Sequence, residues 1–232
     1  IGLVGADAAA AGAAVGGFPA GRRLAVTGAE FGQPRYSTDA AAAEALAKAA
    51  GATVVIAAGT SRWARCLAGA AQRLGGRVDT HVTSIQAAEG KIAINRWYYR
   101  QRMEAAQERS QRPWFILVDP GCHEPWEGDG SAAVLETVAV EVSPRTLFVE
   151  YRAPAADQQT IRPDAALLLV AGAGWTKKQA DGKTHTEEAG ALILDFLNKT
   201  KSSLGSSKSL VDLSGEGQAV LPFLTHLNQV GQ

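Results

Sequence analysis

The chain has 232 residues, 46% of them apolar, and its 23 Lys+Arg cancel its 23 Asp+Glu. That is length enough for one large or two small cores, and the zero formal charge removes the net basic field that a protein built to hold nucleic acid needs. No apolar run reaches the ~18 residues of a membrane span, and Ile1-Gly2-Leu3-Val4-Gly5 lacks the charged start of a signal peptide, so the chain reads as beginning inside a strand and a cytoplasmic location is expected.

In chain order, short apolar runs alternate with helical patterns, the signature of a mostly parallel sheet with helices on its faces. Leu24-Ala25-Val26 reads as a strand. Ser37-Thr38-Asp39 predicts an N-cap for a helix from Ala40 to Ala50, closed by Gly51. The β-branched run Thr53-Val54-Val55-Ile56-Ala57 is too short for a helix and reads as a buried central strand. Gly59-Thr60-Ser61 turns into a second helix, with Trp63, Leu67, Ala70 and Leu74 on one buried stripe.

The middle reads differently. Segments 82–85, 91–99, 114–118, 138–142 and 146–151 are strand-like, with Asp119-Pro120-Gly121 as a turn. A polar, Pro-containing stretch at 153–159 is the predicted linker, dividing the chain at 157/158. Beyond it, Leu167-Leu168-Leu169-Val170 predicts a buried strand. Thr186 to Asn198 predicts a helix with Ala189, Leu192, Ile193 and Phe196 inward.

Several patterns could carry chemistry. Gly172-Ala173-Gly174 directly follows the apolar strand 167–170, where glycine lets backbone approach a phosphate. The third glycine of G-x-G-x-x-G is Lys177, so the dinucleotide fingerprint is incomplete, and a plain β–α turn remains the alternative. Gly182-Lys183-Thr184 ends like a phosphate-binding loop, but the spacing requires glycine where Lys177 stands, so a solvated loop is the better reading. Gly205-Ser206-Ser207-Lys208-Ser209 sets hydroxyls beside a cation, either as a phosphate site or as the cap of a short helix from Ser209 to Leu213. Arg96 to Arg102 interleaves aromatics with arginines. An ordinary two-faced strand explains that better than base stacking. Cys66 and Cys122 read as two free thiols in a reducing compartment, and the scattered His81, His123, His185 and His226 give no metal-ligand spacing. No G-x-S-x-G elbow is present and no catalytic residue is assigned.

Taken together, these segments resemble the alpha subunit of the electron transfer flavoproteins. Gly59-Thr60-Ser61 and Leu67-Ala68-Gly69-Ala70-Ala71-Gln72-Arg73-Leu74-Gly75 are similar to the family's strand, T-S and L-A-x-x-x-A-x-x-L-G element. Leu168 to Trp175 falls where the family has an apolar strand and G-G-R-G-L. Gly205 to Asp212 resembles G-A-S-R-x-x-V-D, and Gln229-Val230-Gly231-Gln232 resembles the opening of Q-V-G-Q-T-G.

The resemblance covers about residues 36 to 232. It implies an α/β fold: a nucleotide-hydrolase-like N-terminal domain (1–157), with a central parallel sheet and added antiparallel strands, then part of a second α/β domain (158–232) that holds FAD. It implies a non-enzymatic electron carrier, paired with a beta subunit in a heterodimer, passing electrons from a dehydrogenase to a quinone-linked acceptor. The cofactor residues it implies are Gly172, Ala173, Gly174, Ser206, Ser207, Lys208, Gln229, Val230, Gly231 and Gln232. Two departures matter. The family's arginine in G-G-R-G-L falls on Ala173, which should lower the flavin's reduction potential unless Lys177 or Lys178 substitutes. Lys208 stands for an arginine and loses its bidentate fork. The chain also stops before the T-G of the last motif, so weak or absent FAD binding is expected. The alternative is a cofactor-free nucleotide-binding or assembly module of the same fold.

Overall fold

Apolar runs of four or five residues become parallel strands, and the alanine-rich stretches between them become the crossovers that parallel pairing requires. The computed structural model describes residues 1–127, 129, 131, 133–150, 161, 165–212 and 215–230. The chain divides into two units, Ile1–Val149 and Glu150–Gln232. The expected boundary at 157/158 and the linker 153–159 lie outside the described residues.

In the first unit the elements are β1 (Gly2–Gly5), α1 (Ala9–Ala14), β2 (Leu24–Thr27), α2 (Tyr36–Ala50), β3 (Val54–Ala58), α3 (Ser61–Arg73), β4 (Arg77–Ala88), β5 (Lys91–Tyr98), β6 (Met103–Glu108), β7 (Trp114–Val118) and β8 (Glu136–Thr137). They form a three-stranded sheet, β1-β2-β8, and a five-stranded sheet, β3-β7-β4-β5-β6. The first is wholly parallel. In the second, β3 and β4 run parallel to β7, while β4-β5-β6 continue as antiparallel hairpins. The Glu89-Gly90 corner, with φ of 51° and 75°, has the left-handed conformation that a two-residue hairpin turn demands.

Helices α2 and α3 meet through small residues. Ala40, Ala43 and Ala47 face Leu67, Ala70 and Ala71, with Phe115 and Leu117 of β7 in the same cluster. A Cβ at Gly69 would lie 2.1 Å from the Tyr36 hydroxyl, so any larger residue there would push that half-exposed ring aside. Helix α2 ends on Gly51 at φ 57°, as expected, and the Thr60 side chain caps α3 by accepting from the Trp63 N–H.

Elsewhere the structure corrects the sequence reading. The first long helix begins at Tyr36, so Thr38 and Asp39 lie fully buried inside its first turn instead of capping it. The Asp39 carboxylate accepts from Arg62 at 2.6 Å, and the Thr38 hydroxyl donates to the Arg35 carbonyl. Strand β3 is an edge strand, not a central one, with Ile56 60% exposed. Strand β6 was not foreseen. The segments 138–142 and 146–150 form no strand. Val138, Val140 and Val142 have the alternation of one, but they pack on Val26, Phe31 and Ala42 beyond the short ladder of β8.

One buried charge organises the five-stranded sheet. Asp79 on β4 is 1% exposed and accepts from Arg96 of β5 at 2.8 Å, from Arg109 Nη2 at 2.8 Å, from Arg109 Nε, and from the Trp114 indole of β7 at 2.8 Å. Burial by itself would raise its pKa. The hydrogen bonds from Arg109 and Trp114 and the charges of Arg109 and Arg96 outweigh that, and the net direction is down.

The second unit contains β9 (Leu168–Ala171), α4 (Thr186–Thr200), β10 (Ser203–Ser206), α5 (Lys208–Val211) and α6 (Glu216–Val220). Strands β9 and β10 pair in parallel, from Leu168 opposite Ser203 to Ala171 opposite Ser206. Helix α4 is their crossover and buries Ala189, Ile193 and Leu197 among Leu204, Leu210, Leu221 and Leu224. Gly190 permits the approach of Val220, whose carbonyl oxygen would stand 2.3 Å from a Cβ. Leu192 and Phe196, expected inward, are 58% and 36% exposed, because the helix is rotated to present Gly190 and Leu197 instead. Strand β9 is half-buried, with Leu168 and Val170 open on its second face.

Replacing Asp79 with Asn removes the countercharge of two arginines and should cost about 3 kcal/mol, read as a fall in thermal midpoint. Because the folded pKa is depressed, the stabilisation from Asp79 is present above the ordinary carboxylate pKa of ~3.9 and is lost as pH falls through the folded value. The wild-type protein should therefore lose more stability than D79N on acidification below pH ~4.

Candidate functional site

Parallel pairing brings together three segments far apart in sequence. The chain leaves the carboxyl end of β9 at Gly172 and the carboxyl end of β10 at Ser207, whose N–H donates to the Ala171 carbonyl at 2.8 Å. On the other side of β10, Gln229 forms a parallel bridge with Ser206, and the Val230 N–H donates to the Ser206 carbonyl at 2.9 Å. The 172–174, 206–208 and 229–230 segments thus share one end of the sheet, where open α/β sheets bind ligands. Gly231 and Gln232 lie outside the described residues.

The glycines are the informative part. Gly172 has an extended backbone, φ −104° and ψ 166°, which any residue adopts. A Cβ at Gly172 or Gly174 would meet nothing within 4 Å. Neither turn geometry nor packing requires glycine at either position. Both border a cavity of about 460 Å³, lined also by Trp175, Gln179, His185, Glu188 and Leu192, within the ~300–1,000 Å³ range of small-molecule sites. Gly205 is the contrast: a Cβ there would lie 2.8 Å from Val230 Cγ1, so that glycine serves packing.

The remaining residues divide by orientation. Ala173 begins a single 3₁₀ turn, Ala173–Thr176, and packs against the core of the unit. Ser206 is fully buried and its hydroxyl donates to the Ser207 carbonyl, so it supports β10 and does not face solvent. Ser207 precedes α5 without capping it, and its hydroxyl pairs with that of Ser209 at 3.3 Å. The expected short helix thus runs from Lys208 to Val211. The Lys208 ammonium is exposed and 3.5 Å from Asp212. Lys177, one candidate to replace the cation absent at Ala173, lies 3.5 Å from Glu216, whose other oxygen accepts from Thr176 at 2.9 Å.

Sequence reading missed His185. Its Nε2 is 2.7 Å from Asp181 and its Nδ1 is 3.1 Å from Glu188 at the start of α4. The hydrogen bond with Asp181, then that with Glu188, raises its pKa. The spacings i−4 and i+3 in Asp181, His185 and Glu188 were the available signal. Among the described residues no group of His, Cys, Asp and Glu could hold a metal ion. Cys66 is buried, and burial pushes its thiol up to about 11, which leaves it a poor nucleophile.

Two outcomes test this geometry. Gly172→Ala should leave the thermal midpoint unchanged or raise it slightly, through a gain of about 0.5 kcal/mol, whereas Gly205→Ala should lose about 1–3 kcal/mol to overpacking. By NMR titration, His185 should hold its proton above the ordinary pKa of ~6.5, and Asp181→Asn should move that midpoint down. The raised value means the stabilisation from His185 is complete below pH ~6.5 and fades as pH rises through the folded pKa.

A family profile described as the electron transfer flavoprotein domain matches residues 2–144. The match begins well before the Tyr36 region where the resemblance was first legible, and residues 145–232, which carry the candidate site, lie outside it. No curated protein matches the chain. No helix among the described residues is long and apolar enough to cross a membrane. With well over half its length matched, the chain belongs to the electron transfer flavoprotein domain family.

Proposed function

We propose that this protein is an alpha subunit of an electron transfer flavoprotein, acting with a beta subunit to move electrons on FAD from a dehydrogenase to a quinone-linked acceptor. The observation that carries the reading is the pair of glycines at the carboxyl end of β9. Gly172 and Gly174 present bare backbone to a cavity, and the fold itself needs glycine at neither. A nucleotide cofactor explains what the turn alone does not.

The residues present fit part of such a cofactor. Gly172 and Gly174 allow close approach, Ser207 and Lys208 offer a hydroxyl and a cation, and Gln229 and Val230 flank the same strand end. When bound, the flavin supplies the one- and two-electron chemistry, while the protein binds it, orients it and sets its surroundings. No proton-transfer or nucleophilic group is required of the chain, in keeping with a carrier that turns over no substrate of its own. The reading carries the cytoplasmic compartment expected from the sequence. It also carries weak FAD binding, because Ala173 supplies no cation and Lys177 is engaged by Glu216.

Titration of the purified chain with FAD, followed by flavin fluorescence and absorbance, tests this. Saturable but weak binding is expected, and Gly174→Val should abolish it without lowering the thermal midpoint of the free protein. FAD retained at full stoichiometry through purification would overturn the weak-binding part. No binding at saturating FAD would favour the cofactor-free module.

A further inference from the structure

Two titratable side chains, His185 and Glu188, line the cavity beside Gly172 and Gly174. The other described side chains on its wall are Trp175, Gln179, Ala189 and Leu192, none of them charged. Whatever charge this wall shows a ligand therefore comes from the pair.

A third group fixes the protonation state of the pair. Asp181, on the loop ahead of α4, lies 2.7 Å from His185 Nε2, and Glu188, in the first turn of α4, lies 3.1 Å from Nδ1. A carboxylate only accepts, so both ring nitrogens donate, and only the imidazolium can do that. The hydrogen bond to Asp181, then that to Glu188 and the charge of Glu188, raise the pKa in the same sense, and these two carboxylates are the charged groups that act on the ring. The neighbouring turn Ala173–Thr176 carries no charge, and Lys177 beyond it is engaged by Glu216.

Loss of the proton alters the cavity more than the loop. A neutral imidazole has one N–H and can serve one carboxylate. Asp181 is the closer and the less exposed, at 49% against 79% for Glu188, so it keeps the hydrogen bond. Glu188 is then left on the wall as an uncompensated negative charge. With the proton in place the wall is neutral; without it, the wall repels an anion.

We propose that His185 is the charge-compensating residue of this cavity: as imidazolium it cancels Glu188 and admits an anionic dinucleotide, so that binding takes up a proton at His185. This rests on FAD as the ligand proposed above, whose pyrophosphate is anionic throughout the neutral range. One charge compensated at a solvated wall is worth about fivefold in affinity. By reciprocity, bound FAD must raise the His185 midpoint by the same factor.

The test is titration of the 232-residue chain with FAD, read by flavin fluorescence, at a series of pH values from about 6 to about 9. The His185 ring is followed by NMR with and without FAD. Affinity should fall about fivefold as pH rises through the His185 midpoint, and FAD should move that midpoint up. Glu188→Gln should bind at every pH as tightly as the wild type does at the acid end. His185→Gln should bind at every pH as weakly as the wild type does at the alkaline end. Glu187→Gln, exposed in the same turn but off the cavity wall, should keep the wild-type profile. Affinity independent of pH in the wild type would overturn the proposal and leave the FAD reading standing. So would weaker binding by Glu188→Gln, a pH dependence that survives in both variants, or a His185 midpoint that FAD does not move. No binding at any pH would overturn both.

Discussion

Parallel pairing is the constraint from which both units follow. Two neighbouring strands that run the same way cannot be joined by a tight turn, so the chain must cross over a face of the sheet, and a helix covers that face. The chain does this through α1 between β1 and β2, and through α4 between β9 and β10. Every crossover leaves a strand at its carboxyl end, so the ends gather loops whose backbone is not committed to the ladder. In the second unit this is where Gly172, Ser207 and Val230 come together.

The two units meet the constraint with different core chemistry. In the first, alanines at the α2–α3 contact bring two helices close, while the antiparallel extension β4-β5-β6 is tied to β7 by the buried Asp79, its two arginines and a tryptophan. A buried carboxylate is expensive unless every oxygen is satisfied, and here both are. In the second, leucines and isoleucine on one side of a two-stranded sheet do the packing, and the other side remains open at Leu168 and Val170.

The candidate site shows where sequence reasoning succeeds and where it cannot reach. The strand before Gly172, the glycines and the Ser207–Lys208 cluster were legible as local patterns, because apolar runs and glycine turns carry their own signature. That Ser206 turns inward while Ser207 stays beside Ser209 was not legible, since one residue's difference in strand phase decides it. His185 escaped notice because a lone histidine has no meaning until Asp181 and Glu188 are seen on either side of it.

By itself the sequence determined the alternation of strands and helices, the Gly51 helix end, the turn into a helix at Gly59-Thr60-Ser61, the family resemblance, and the local patterns at Gly172 and Ser207. Those are properties of short segments and survive in any tertiary context that keeps the period. Only the tertiary structure decided that β3 is an edge, that Asp39 is an ion-pair partner instead of a cap, and that Gly172 and Gly174 face open space while Gly205 does not. Each depends on what a distant segment places beside the residue, and a local pattern holds no record of that neighbour.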